Sequence, residues 1–262
     1  MPVTVFKKAA IYGVVIAGLA IAGALASGSF MARAAETVPA PLTKADVEKI
    51  VHEYILSNPD VIINAVQDYQ TSYARERRET ALKDNHKDLY NDAGTPVLGN
   101  PNGDVTLVEF SDYNCGYCKK VFPMIAQLLE EDKNLRVLLK EFPILGPTSE
   151  TASKWALAAH KQGKYLDYHR ALMDNNKPIN DDLLAAVAAE VGLDVDQARR
   201  DVDSTDVMIQ IERNRSLAMN MELRGTPAFI IGDEVLPGAV GLDDMKEMIA
   251  KARGGDKEKK AE

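Results

Sequence analysis

Apolar residues along the chain recur with two different periods. Val47, Ile50, Val51, Tyr54 and Ile55 repeat at helical spacing and predict a helix over 44–56. Thr43 caps it and Asp46 supplies the acid of its first turn. Ser57-Asn58-Pro59-Asp60 ends that helix and starts another, with Asn58 as cap and Pro59 at the first helical position. The second helix is expected from Pro59 to about His86. Its first half carries Val61, Ile62, Ala65, Val66, Tyr69 and Tyr73, whereas Arg75-Glu76-Arg77-Arg78-Glu79 in its second half is wholly polar. A helix about 40 Å long and apolar at one end only is hard to bury against one globular domain. Residues 43–90 therefore read as an oligomerisation or docking arm; the alternative is a helix pair folded back on its own domain.

After Gly94-Thr95-Pro96 the period changes. Val105–Phe110 is a buried-strand pattern, a helix follows from about Cys115 to Glu131, and 135–142 is a second strand. From Ser149 to about Met221 the pattern is helical, with breaks near Lys177-Pro178 and Gly192. Pro227 precedes an apolar strand over 228–231, Gly232-Asp233-Glu234 turns into Val235-Leu236, and a helix over 242–252 closes the fold. The charged residues 254–262 are expected to be a disordered tail. The order β-α-β, helical insert, β-β-α predicts an α/β fold with the insert between two halves of one sheet. The expected divisions are an arm at 35–93, a first half at 94–148, an insert at 149–221 and a second half at 222–253.

The N-terminus differs from all of this. Lys7 and Lys8 precede an uncharged apolar run over 9–32, and Ala32-Arg33-Ala34 follows. A basic start, an apolar run and small residues read as a secretory signal over 1–34, with an uncleaved membrane anchor as the alternative. Either places the remainder outside the cytoplasm. With 46% hydrophobic and 27% charged residues, the 262-residue chain is neither wholly disordered nor a polytopic membrane protein. Its net charge of −8 becomes more acidic if Lys7, Lys8 and Arg33 are removed. A basic footprint for nucleic acid is absent.

Two cysteines occur, Cys115 and Cys118. The first falls at a helix N-terminus, where free N–H groups and the helix dipole favour a thiolate. The second lies one turn on, with its sulfur near the first. A disulfide between them closes too small a ring to be mainly a structural staple. A dithiol in this position can cycle by exchange with a substrate disulfide. Half a zinc site is the rival, but His52, His86, His160 and His169 offer no matching paired spacing. An inert buried pair is the remaining reading.

These residues bring a resemblance with them. Val108-Glu109-Phe110-Ser111-Asp112-Tyr113-Asn114-Cys115-Gly116-Tyr117-Cys118-Lys119 resembles the strand, loop and active site of the DsbA-like thiol–disulfide oxidoreductases. Arg224-Gly225-Thr226-Pro227-Ala228-Phe229 resembles their cis-proline loop. The similarity covers roughly 97–252, and with the arm it is nearest to the suppressor-of-copper-sensitivity protein C group, some of whose members are trimeric isomerases. The resemblance implies a thioredoxin fold with an inserted helical domain and an N-terminal helical arm. It implies a redox-active Cys115–Cys118 pair, a buried Glu109 that moves protons to and from Cys118, and a lysine, Lys140, paired with that acid. It places a cis Thr226–Pro227 bond against the cysteines and makes Gly116 and Tyr117 tuning positions, and Pro123 a kink. Met219 and Met221, near the cis-proline loop, are expected in the core, with copper ligation as the alternative. No metal or organic cofactor is implied. The expected activity is exchange or isomerisation of disulfides in exported proteins of the periplasm, served by a membrane redox partner. A dedicated oxidase is the alternative within the fold. A copper- or partner-binding protein using the same cysteines is the alternative outside it.

Overall fold

The computed structural model describes residues 41–259, so the segment read as signal or anchor lies outside the described residues. The described residues divide into two units, one ending at Asn58 and one beginning at Pro59. In the first, helix α1 (Lys44–Ser57) starts at a complete capping box. Thr43 Oγ1 accepts the Asp46 amide at 3.3 Å, and Asp46 Oδ2 accepts the Thr43 amide at 3.0 Å. Val47, Ile50, Val51 and Tyr54 are all exposed on it. Asn58 departs from the sequence expectation. Its side-chain amide donates to the Tyr54 carbonyl at 2.9 Å, finishing α1 instead of capping the next helix.

The second unit begins with α2 (Asp60–Asp84) and α3 (His86–Tyr90). Then come β1 (Val97–Gly99), β2 (Val105–Ser111), α4 (Gly116–Glu131) and β3 (Leu135–Glu141). The insert holds α5 (Pro147–Lys161), α6 (Tyr165–Asp174), α7 (Asp181–Glu190), α8 (Val195–Val202) and α9 (Thr205–Asn220). The chain closes with β4 (Ala228–Ile231), β5 (Glu234–Pro237) and α10 (Leu242–Lys259). The five strands form one sheet in the order β1-β3-β2-β4-β5. Only β2 and β3 are parallel, joined through α4; the other pairings are antiparallel. Those central strands are covered on both sides, which is why they read as nearly unbroken apolar runs.

Strand alternation sorts the core into two faces. Leu107, Val137, Leu139, Phe229 and Ile231 pack with Val121 and Ile125 of α4, Met245 of α10 and the insert around Trp155 and Tyr168. Val108, Phe110, Leu138, Ala228 and Ile230 face the other way, onto Leu217, Met221 and Leu223. Leu82 of α2 and Leu89 of α3 lie in that second layer. The arm is therefore not one piece. Its apolar first half is exposed, while its polar second half is docked on the sheet by two leucines and by ion pairs from Arg77 to Glu222 and from Arg78 to Glu234, the latter at 3.1 Å. The sequence signal was faint because few apolar residues carry the docking: Leu82 and Leu89 are buried, and Ala81 and Tyr90 are partly buried against the same layer.

Other differences are local. The short strand β1 was not anticipated; it ends at Gly99, whose φ of 73° suits glycine and where a Cβ would run into the Leu135 carbonyl. The insert breaks additionally after Lys161 and after Val202. Helix α10 runs through residues 254–259, part of the expected disordered tail. Arg253, held to Asp104 at 2.7 Å and Asp132 at 2.8 Å, keeps it on the domain beyond Ala252. Met221 is buried as expected, but Met219 is exposed. No helix among the described residues is long and apolar enough to cross a membrane.

Candidate active site

Strand β2 runs into a loop, and the loop delivers Cys115 as the N-cap of α4, with φ −79° and ψ 112°. A hub under the loop fixes this geometry. Asp112 Oδ1 accepts the Asn114 amide at 2.8 Å and the Ser149 hydroxyl at 2.7 Å. Asp112 Oδ2 accepts the amides of Ile144 at 2.8 Å and Leu145 at 3.0 Å. One buried carboxylate thus ties the active-site loop to the β3–α5 connection and to the start of α5.

Cys115 and Cys118 are both free thiols. Cys115 Sγ accepts the Cys118 backbone N–H at 3.4 Å and donates to the Thr226 carbonyl at 3.2 Å. Cys115 keeps 6% of its surface exposed and Cys118 none. The Thr226–Pro227 peptide bond is cis, and the loop faces the pair across that sulfur–carbonyl contact. The Thr226 side-chain oxygen is buried without a hydrogen bond, so its contact with Cys115 is through the backbone alone. Tyr117 is 62% exposed, with Lys120 Nζ 5.2 Å from its ring centre. Gly116 has open space where a Cβ would stand. Lys119 donates to the carbonyls of Leu172, at 3.0 Å, and Asn175, tying the active-site helix to the end of α6. Pro123 sits within α4, which continues past it.

Glu109 lies on the same sheet face as Leu107 and is 2% exposed. Burial lifts its carboxyl to about 8, and the neighbouring Glu141 adds to the rise. Burial likewise pushes the Cys118 thiol up, and the Glu109 charge pushes it further. The Ser111 hydroxyl opposes both shifts, though it makes no formed hydrogen bond. A buried acid thus sits within electrostatic reach of the buried sulfur.

Lys140 does not pair with that acid. In the β2–β3 register Glu109 lies opposite Leu139, and Lys140 lies opposite Phe110. A one-residue offset puts the two side chains on opposite faces of the sheet. Lys140 Nζ instead meets the Asp88 carbonyl at 2.6 Å, Thr95 Oγ1 at 2.6 Å and Asp92 Oδ2 at 3.3 Å. Burial lowers its proton affinity, and Asp92 works against that.

The sequence reading assigned nothing to Glu141, Tyr113, Ser153, Tyr165 or His169, which form a buried polar cluster beside the site. Glu141 Oε1 accepts the hydroxyls of Tyr165 at 2.6 Å and Tyr113 at 2.9 Å, and Oε2 accepts Ser153 at 2.7 Å. A signal did exist: Lys140 and Glu141 are adjacent in a strand buried on both faces, so neither can point to solvent. Among the described residues no three His, Cys, Asp or Glu side chains gather into a metal-binding group.

Residues 106–250 match the family described as the DSBA-like thioredoxin domain. The chain belongs to that family of thiol–disulfide oxidoreductases. Residues 44–75 match the copper resistance protein ScsC N-terminal domain. A thioredoxin-like oxidoreductase from Silicibacter pomeroyi DSS-3 is 41% identical, with a TM-score of 0.63 over 64% of this chain and 97% of that one. A linker-deletion variant of Proteus mirabilis ScsC is 26% identical, with a TM-score of 0.64 over 83% of this chain and 99% of that one. Disulfide bond formation protein D of Bacillus subtilis is 26% identical over 62% of this chain and 78% of its own length. The chain also matches sodium/proton antiporters, among them one from Salinispora arenicola, but spans only about a quarter of that protein's length. The DSBA-like thioredoxin domain thus covers the sheet from β2, the whole insert and the first half of α10, with the cysteine pair inside it.

Proposed function

We propose that this protein exchanges and isomerises disulfides in exported proteins through Cys115 and Cys118, outside the cytoplasm and in the periplasm. The observation that carries the reading is the Cys115 sulfur at the α4 N-cap, 3.2 Å from the Thr226 carbonyl, with Cys118 fully buried behind it. Cys115 is the nucleophile and the site of the mixed disulfide. Cys118 resolves it, Glu109 carries the Cys118 proton, and the loop at Thr226-Pro227 offers backbone to an extended substrate segment. Gly116 and Tyr117 tune the pair. A membrane redox partner resets the dithiol.

In the oxidising direction a substrate thiolate attacks Cys115 Sγ of the Cys115–Cys118 disulfide. The S–S bond breaks, and Cys118 leaves with the electron pair. Glu109 gives its proton to that buried sulfur, leaving a carboxylate. A second substrate thiolate then attacks the substrate sulfur of the mixed disulfide and releases Cys115. Two substrate thiols become one disulfide, and the protein becomes a dithiol. The reverse sequence reduces a substrate disulfide, and isomerisation is a reduction followed by reoxidation at a new pair.

The exported location is supported by the basic and apolar start of the chain and by a solved relative described as a periplasmic thioredoxin-like protein from Salmonella enterica serovar Typhimurium. Assembly of several copies is supported by the match of 44–75 to the ScsC N-terminal domain and by exposed apolar residues on α1 and on the first half of α2. Insulin reduction and refolding of scrambled ribonuclease, run side by side, test the activity. Recovery of ribonuclease activity supports isomerisation; insulin reduction without it leaves a reductase, and oxidation of reduced ribonuclease alone leaves an oxidase. Cys118→Ser should accumulate mixed disulfides and Cys115→Ser should form none. The opposite result would reverse the two roles.

A further inference from the structure

Glu109 is not the only buried carboxyl next to the dithiol. The strand register sets Glu109 opposite Leu139 and Ser111 opposite Glu141, so both acids point to the same sheet face, one strand and one alternate position apart. Both are 2% exposed. Among the described residues neither forms an ion pair with a lysine or arginine, and the side-chain partners of Glu141 are hydroxyls. Two carboxyls in one apolar layer without a cation cannot both ionise cheaply, because each charge adds to the cost of the other.

The surroundings of Glu141 are built to hold either charge state. Tyr113 comes from the active-site loop, Ser153 from α5 and Tyr165 from α6, and all three hydroxyls donate to its carboxylate. Tyr113 has spent its proton on Glu141, so its oxygen accepts from His169 Nδ1, 2.8 Å away. That leaves His169 a neutral imidazole with a buried, unpartnered Nε2, and burial holds its pKa down to about 3. No positive charge therefore comes from this side. Asp112 of the loop, and Tyr168 of α6, also lie within electrostatic range of Glu141. Burial lifts Glu141 to about 7, with the three hydroxyls limiting the rise.

We propose that Glu141 is a positioning residue for proton exchange at the dithiol: its charge sets how readily Glu109 takes up and returns the Cys118 proton. This rests on the reading of Cys118 and Glu109 given above. When Glu109 gives its proton to the leaving Cys118 thiolate, a new negative charge appears on the shared face. A neutral Glu141 tolerates that charge and an ionised one resists it. Glu141 touches no sulfur. It also joins the insert to the active-site loop, so helices α5 and α6 bear on the redox centre through Tyr165 and Ser153.

The test uses the full-length protein and the pH dependence of its redox equilibrium with glutathione, followed with the thiolate ultraviolet absorbance. Glu141→Gln removes one of the two interacting charges. The Glu109-linked inflection should move to lower pH by at least half a unit, about a threefold change in proton affinity. Tyr165→Phe withdraws one donor, keeps Glu141 protonated to higher pH and should move the inflection the same way by less. In a Glu109→Gln background neither change should move any inflection. Infrared difference spectra should show two buried protonated carboxyls in the parent at low pH and one in each single Gln variant. A folded Glu141→Gln protein with the parent's pH profile would overturn the proposal. So would an equal, pH-independent loss of rate in both backgrounds, which a purely structural role would give. If Glu109→Gln alone leaves the profile unchanged, the assignment of Glu109 fails first, and that result is distinct from the failure of Glu141.

Discussion

Lys140 Nζ stands 3.3 Å from Asp92 Oδ2, and both side chains are shut off from solvent on the sheet face away from Glu109. The pair is a fastener. Asp92 also accepts Gln210 Nε2 at 2.6 Å and Arg213 Nη1 at 3.1 Å, so one carboxylate binds the segment after α3 to β3 and α9. Burial works to raise its pKa, but Gln210, Lys140, Thr95 and the Gly94 amide together hold it down to about 2.

Asp92→Asn should therefore destabilise the fold without touching the chemistry. It takes from the buried Lys140 ammonium its ion-pair partner and leaves Asp88 as a weaker nearby negative charge, a loss of up to about 3–5 kcal/mol for a broken buried pair. Adding Lys140→Met should recover part of it. Chemical denaturation measures both, with insulin reduction by the native fraction as the control. The sign with pH follows from the depressed carboxyl: the stability it gives is complete above the ordinary aspartate range and drains away as pH falls from about 4 to about 2. A variant as stable as the parent at neutral pH would show that the charge of Asp92 is not needed to fasten the segment.

Glu109→Gln should have the opposite effect on stability. An unfolded glutamate titrates near 4.5, whereas the folded chain holds this proton up to about 8. Between those values the folded state binds more protons than the unfolded one, so stability falls as pH rises from about 4.5 to about 8. Removing the titratable group should stabilise the protein by about 2–4 kcal/mol near pH 7.5 and leave it unchanged near pH 4. Exchange should slow in the same variant. Thermal unfolding across this pH range, beside turnover, is the measurement; equal Tm gains at pH 4 and 7.5 would remove the linkage.

The sequence made the site more legible than its supports. Cys115 and Cys118 sit in a strand-loop-helix pattern that short-range rules read well, whereas Glu109 and Thr226-Pro227 stood out only through the resemblance to the DsbA-like proteins. The side of the sheet taken by Lys140 depends on the β2–β3 register, which no local pattern encodes, and a slip of one residue reverses it. The Asp112 hub and the Glu141 cluster join residues from separate elements, such as Ile144, Ser153 and Tyr165, so only the folded chain reveals them. The docking of the second half of the arm was not legible, because Leu82 and Leu89 are too few to register as a buried face among charged neighbours.

Gly116→Pro should be accepted and mildly stabilising. Position 116 opens α4, where proline suits the first turn, and an added Cβ meets nothing. Cys115 before it is already extended, at φ −79° and ψ 112°, as a residue preceding proline must be. The gain should be about 0.4–1 kcal/mol, mainly from a stiffer unfolded chain, with mixed-disulfide formation at Cys115 retained. A lowered Tm would mean that the Gly116 amide or its backbone angle is needed as it stands.

Two truncations separate the docked and exposed parts of the arm. A chain starting at Arg75 loses α1 and the exposed Val61, Ile62, Val66, Tyr69 and Tyr73 but keeps Arg77, Arg78, Leu82 and Leu89. It should be a folded monomer by light scattering, with insulin reduction intact and any isomerase activity much reduced, because linked sites no longer engage one substrate together. A chain starting at Gly94 goes further. It uncovers the sheet face at Val108, Phe110 and Ile230 and removes Asp92 and the Asp88 carbonyl from Lys140. That leaves a buried ammonium with Thr95 as its remaining partner among those three, so this shorter chain should unfold or aggregate. If the full-length protein is already monomeric at tens of micromolar, the exposed residues of α1 and α2 do not bring copies together. If the chain from Gly94 is as stable as the chain from Arg75, the Leu82–Leu89 dock and the Asp92–Lys140 pair contribute nothing to the fold.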